Sequence, residues 1–188
     1  IDNKMVDGKS IDWNEVDALF KGVDIIIAHN ASFDRAFIDR FSSNSRSKIW
    51  ACSISDIDWL KRGFTSSKQE LLCYWHGFYF DAHRAMNDVD ALIHLLTFDT
   101  GLERPLLELI KNSNKSEFVI YAEHFKYDPV KKDILKGNKY RWNPNDKIWF
   151  KKVNLDELEH EKDWLTATIY DQVFKGRVEE IIPSNKYK

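Results

Sequence analysis

Two aspartates stand where helix packing asks for apolar side chains. Asp34, Phe37, Ile38 and Phe41 recur at i, i+3, i+4 and i+7, one face of an expected helix. Ala85, Asp88, Leu92 and Leu95 or Leu96 repeat the pattern in a later helix. Each stripe is apolar apart from its carboxylate, and each carboxylate lies near the helix N-terminus. A carboxylate in apolar surroundings is costly, so it needs a cation, a strong set of hydrogen bonds or partial contact with solvent. For either acid alone, an exposed edge position or one favoured by the helix dipole is the readier explanation. A pair at matching helix ends weakens that explanation. Asp90 and His94, on the opposite and solvated face, need no special account.

The context of the two acids is His29-Asn30-Ala31-Ser32-Phe33-Asp34-Arg35-Ala36-Phe37, after a short apolar run, and His83-Arg84-Ala85-Met86-Asn87-Asp88-Val89-Asp90-Ala91. In order, spacing and expected elements, these resemble the second and third motifs of the DEDDh-type 3′–5′ exonucleases, HN-x-x-FD after a strand and H-x-A-x-x-D-x-x-A. That family includes the proofreading epsilon subunit of bacterial DNA polymerase III. The resemblance covers residues 1–98, and between the motifs Trp50-Ala51-Cys52-Ser53 and Asp58-Trp59 are similar to one bacterial subgroup. It implies an α/β fold, an RNase H-like exonuclease core, and metal-dependent hydrolysis of phosphodiester bonds at the 3′ end of DNA or RNA. Asp34 and Asp88 would bind two divalent ions, Mg²⁺ or Mn²⁺, across the scissile phosphate, an arrangement that stabilises both attacking and leaving oxygens. Hard carboxylate oxygens suit those metals. His83 would be the general base for the attacking water, work that suits an imidazole titrating near neutrality. Asn30 and Phe33 would help bind the terminal nucleotide, Phe33 by stacking; the structural alternatives are a helix cap and a core position. His29, His76 and His94 are read as structural.

One part of the family pattern is missing. Its first motif, Asp-x-Glu on an apolar N-terminal strand, has no counterpart, and Ile1-Asp2-Asn3-Lys4-Met5-Val6 is similar to a stretch that follows that motif. The run Asp24-Ile25-Ile26-Ile27-Ala28 reads as a strand buried on both faces, which wants strands beside it. The expectation is an exonuclease core lacking its first strands, with an N-terminal segment or second chain carrying Asp-x-Glu. By themselves these residues are expected to have weak metal affinity and little activity. The competing readings are a catalytically incomplete nucleic-acid-binding relic and an interaction subunit.

The supporting elements follow from periodicity and breakers. Helices are expected at 9–21, from Asn30 or Ser32 to Phe41, at 55–61, 68–75 and 82–98, with a strand at Ile49–Cys52 and a polar loop at Ser42–Ser45. Thr100–Pro105 marks a boundary between a core at 1–103 and a small α+β domain at 104–188. That domain should hold helices at 106–111, 131–136 and 155–170, strands at 118–122 and 178–182, and a hairpin of 139–142 with 147–153 across Asn143-Pro144-Asn145-Asp146. Residues 118–152 carry nine Lys and Arg against four Asp and Glu, interleaved with aromatics. Arg141 and Trp142 are therefore candidates for nucleic-acid contact, although aromatics in a small hairpin module also make a core or a docking site.

Composition bounds the class. The chain has 188 residues, 43% hydrophobic and 31% charged, the balance of a soluble globular protein with one sizeable core or a core plus a small module. A net charge of −2 argues against coating nucleic acid by bulk charge, but residues 1–103 hold 11 basic against 16 acidic side chains and the remainder 17 against 14. No apolar run is long enough to cross a bilayer and no signal peptide is visible, so no membrane association is expected. Cys52 and Cys73 follow no metal-ligand spacing and read as reduced core residues of a cytoplasmic protein.

Overall fold

In a computed structural model of the chain, the described residues are 7–82, 84–98, 101, 103–170 and 172–188. The architecture is mixed α/β, divided into two compact units: Ile1–Lys115 with Ser184–Lys188, and Ser116–Pro183.

The first unit is built on two parallel strands, β1 (Ile25–Ala28) and β2 (Ile49–Cys52), with Ile25 opposite Ile49 and Ala28 opposite Cys52. Parallel strands need a crossover, supplied here by helices α2 (Ala31–Ile38) and α3 (Ser43–Arg46). Helix α1 (Trp13–Lys21) precedes β1 and starts at Asp12, whose side chain accepts the Asn14 and Glu15 N–H groups. Helices α4 (Gln69–Trp75), α5 (Ala85–Thr97) and α6 (Pro105–Ser113) follow β2. Strand alternation divides the core. Ile25, Ile27 and Ala51 pack with Leu72, Leu95 and Leu109 from those three helices, while Ile26, Trp50 and Cys52 pack with Ala31 of α2. Both faces of the strand pair are thus covered, as the unbroken apolar run implies. The β1 residues are nevertheless only half-buried, because among the described residues β1 pairs with β2 alone and its other edge is open.

The second unit is an antiparallel sheet of order β4 (Arg141–Asn143), β5 (Ile148–Asn154), β3 (Glu117–Ala122), β6 (Arg177–Ile181). Helices α7 (Pro129–Gly137) and α8 (Leu155–Thr168) cover one face, where Ile120, Ala122, Trp149 and Val153 meet Leu135 and Leu165. Helix α8 begins in a reciprocal capping box between Asn154 and Glu157, and α7 at Asp128, whose side chain accepts the Val130 N–H at 2.8 Å. Glu117 pairs with Ile181, so the chain enters and leaves this unit at neighbouring strand ends.

Several expectations are corrected. Residues 55–61 form turns rather than a helix. Asp56 accepts the Cys52 N–H and Asp58 the Lys61 N–H, local bonds that compete with helix formation. The polar loop at Ser42–Ser45 is largely the short helix α3, capped by Ser42. In α2 the fully buried residues are Ala31 and Arg35. Phe37 and Phe41, on the stripe expected to face inward, are half-exposed and pack on Trp13 of α1, which stacks on Phe41 with ring centroids 4.2 Å apart. Finally, the division of the chain falls after Lys115 rather than after residue 103, and the last five residues rejoin the first unit. Leu109 explains the shift: it is fully buried in the same cluster as Leu95 and Leu96, so α6 belongs to that core. Cys52 and Cys73 are buried and free. Among the described residues, no helix is long and apolar enough to cross a membrane.

Candidate functional site

The two aspartates sit in the first turns of α2 and α5, and both line one cleft of about 930 Å³. Ile26, Ile27 and Ala28 of β1 form part of its wall, with Val89 and Leu92 from α5. The lining is mixed, because His29, Asn30, Lys68, Gln69 and Glu70 share it with these apolar side chains. Burial raises the Asp34 carboxyl above its ordinary value, and a backbone hydrogen bond offsets part of that rise.

Strand β1 delivers His29 and Asn30 directly to the cleft. Asn30 turns the chain from strand into helix with φ 73°, a left-handed conformation that asparagine tolerates better than most residues. Asn30 occupies the N-cap position through its backbone, and its side chain makes no cap hydrogen bond to the helix. Phe33 is not a core residue: it is 74% exposed. Asn30, Phe33 and Asp34 also line a second cleft of about 800 Å³ that continues along α2 past Phe37 and Arg40. These three residues thus stand where the two clefts meet.

His29 is the site residue that the sequence reading passed over. Its Nδ1 lies 2.7 Å from Ser53 Oγ. Ser53 is fully buried, donates its N–H to Ala28 O at 3.0 Å and accepts the Trp59 indole N–H on its carbonyl at 2.6 Å. The imidazole is therefore held by the end of β2, and Nε2 is the remaining ring nitrogen. Burial holds the ring below the ordinary histidine range, opposed by the negative charge of Asp88. A neutral imidazole beside a carboxylate can donate or accept a hydrogen bond in the cleft. The available signal was its position one residue before Asn30, at the end of a buried strand.

The start of α5 is tied down through backbone groups. Gln69 Nε2 donates to Asp88 O at 2.5 Å and Asn87 Nδ2 to Asp81 O at 3.1 Å. The expected base His83 lies in this stretch but outside the described residues. His76 and His94 are structural: His76 Nδ1 is 2.6 Å from Leu72 O, its ring packs against Phe64 and Phe98, and His94 lies against Phe78.

Arg141 and Trp142 belong to the second unit, and the structure does not bring them together. They are successive residues of β4, so their side chains leave opposite faces of the sheet. Trp142 lies across from Trp149, ring centroids 5.4 Å apart, on the helix-covered side. Arg141 is opposite Phe150 on the other side.

The donor chemistry of Asp34 and Asp88 fits Mg²⁺ or Mn²⁺ in part. Among the described residues, no group of three or more His, Cys, Asp or Glu side chains could hold a metal ion. Comparison with protein families, characterised proteins and solved structures returns no match to this chain.

Proposed function

We propose that the cleft between α2 and α5 receives the 3′ end of a DNA or RNA strand and hydrolyses its terminal phosphodiester bond, as a 3′–5′ exonuclease with an RNase H-like core. The observation that carries this reading is the convergence of Asp34 and Asp88, from motifs far apart in sequence, on one cleft. Asp34 and Asp88 present hard oxygen ligands there. When bound by them together with a phosphate, Mg²⁺ or Mn²⁺ supplies charge neutralisation at the phosphoryl oxygens. His83, five residues before Asp88, takes a proton from the attacking water. Phe33, exposed at the meeting of the two clefts, offers a ring on which the terminal base stacks, and Asn30 a side-chain amide free of capping duty. His29, fixed by Ser53, contributes a neutral imidazole beside Asp88. Among the described residues β1 pairs with β2 alone, and in this reading a further strand bearing the Asp-x-Glu acids adds to its other edge.

The alternative is a nucleic-acid-binding or interaction subunit without catalysis, favoured by the fact that the described carboxylates supply only part of a metal site. One experiment separates them. The protein expressed from its own gene is incubated with 3′-labelled single-stranded DNA and RNA in Mn²⁺. The enzyme reading expects nucleotide release from the 3′ end, reduced at least about 100-fold in Asp34→Asn, Asp88→Asn and His83→Ala. Oligonucleotide binding without release, indifferent to Mn²⁺, refutes it in favour of the binding subunit.

A further inference from the structure

We propose that residues 184–188 are an internal strap that fixes α2 and thereby sets where Asp34 stands in the cleft. Arg35, the next residue after Asp34, is fully buried, which a guanidinium tolerates only when its donors are satisfied. Nη1 donates to Lys186 O at 2.6 Å and Nη2 to Ser184 O at 2.8 Å. The remaining bonds are Nη2 to Arg46 O at 3.2 Å and Nε to Asp39 at 3.0 Å. Carbonyls of the strap thus take half of the hydrogen bonds that allow this charge to be buried. The strap is itself held by Lys186, whose Nζ lies 3.1 Å from Asp56 Oδ1 and 3.1 Å from Asn112 O. The Lys186 and Asp56 side chains are each 3% exposed. Asp56 in turn accepts the Cys52 N–H at 2.8 Å, which links the ion pair to the end of β2. Tyr187 packs into the cluster of Ala31, Trp50 and Cys52.

Helix α2 depends on such support. It is eight residues long and has no side-chain cap, and a helix of that length is marginal without tertiary packing. Its buried residues, Ala31 and Arg35, are one helical turn apart; Arg35 bonds to the strap and Ala31 belongs to the cluster against which Tyr187 packs. Asp34 projects from the same turn towards the cleft. Loss of the strap removes two of the four hydrogen bonds of the guanidinium and the backbone that covers it, so α2 loses part of the tertiary support that holds it. Arg35 and Lys186 are therefore positioning residues that act through Asp34. The metal-binding half of this inference rests on the proposed function; the half concerning α2 does not.

The test compares the full chain, a chain without residues 184–188, and Lys186→Met. Amide hydrogen exchange should be at least about tenfold faster across α2 in both variants, with α7 and α8 of the second unit unchanged as internal reference. An excess of a peptide of residues 183–188 should restore protection in the shortened chain. Water-proton relaxation with Mn²⁺ alone should show metal affinity lowered about tenfold in the same variants and recovered with the peptide. If the full chain binds no Mn²⁺, the reading of the cleft as a metal site fails while the exchange data still judge the strap. Unchanged α2 exchange overturns the strap. So does a loss of protection in Lys186→Met that spreads evenly through the first unit without favouring α2.

Discussion

Replacing Lys186 with methionine tests the energetics of the buried ion pair directly. Methionine keeps most of the side-chain volume and removes the ammonium. The change deletes the 3.1 Å contacts to Asp56 Oδ1 and Asn112 O and leaves the Asp56 carboxylate in a site where it is 3% exposed. Removing one partner of such a pair typically costs about 3–5 kcal/mol, because the other charge stays buried without compensation. Asp56 keeps the Cys52 N–H as a donor, so the expected cost lies at the lower end, about 3 kcal/mol. Asp56→Asn keeps an acceptor for that N–H and removes the charge. The double variant should therefore be less destabilised than the sum of the singles by about 1–3 kcal/mol. Two compact units need not unfold together, so a single midpoint is not the right measure. Urea-dependent hydrogen exchange at first-unit amides reads the relevant free energy. A loss below about 1 kcal/mol in Lys186→Met, or strict additivity in the double variant, refutes the argument.

Other outcomes follow from single sites. Burial raises the Asp34 carboxyl, so between the ordinary carboxylate value and the raised one the folded chain binds more protons than the unfolded chain, and stability falls as pH climbs through that window. Asp34→Asn should remove this dependence and stabilise the first unit at neutral pH by no more than about 1 kcal/mol, since solvent screens a half-buried charge; faster urea-dependent exchange at first-unit amides at pH 7 contradicts this. Burial pushes the Cys73 thiol up to about 11, so a disulfide reagent at pH 8 should label it only after unfolding, and rapid native-state labelling shows the site to be open. A Cβ at Gly176 falls 2.5 Å from the Tyr121 carbonyl oxygen, so Gly176→Ala should cost the second unit about 1–3 kcal/mol by urea-dependent hydrogen exchange at second-unit amides. Phe33→Ala should leave stability within about 0.5 kcal/mol, its ring being 74% exposed, while weakening oligonucleotide binding by about 1–3 kcal/mol in a fluorescence anisotropy titration.

What the sequence by itself determined is what depends on neighbours in the chain. Apolar spacing set the helix at Ala85–Thr97, the unbroken run of β-branched residues set the strand at Ile25–Ala28, and the Asn143–Asp146 turn set the hairpin. The two motifs brought Asp34 and Asp88 to notice before any geometry, and period two on β4 already separates Arg141 from Trp142. The tertiary structure alone decided the rest. Helical periodicity marked the Asp34–Phe41 stripe as the inward face, but Arg35 lies inside because carbonyls of Ser184 and Lys186, far along the chain, reach it. Residues 55–61 have helical spacing, yet Asp56 is committed to Cys52 and Lys186. Leu109 draws α6 into the first core, moving the division of the chain beyond the composition break near residue 103. Ser53 turns His29 from an ordinary strand-end residue into part of the cleft. In each case a polar or apolar group is satisfied by a partner remote in sequence. Such pairings leave no periodic trace, because their energy depends on burial and donor–acceptor geometry that exist only once the chain has folded.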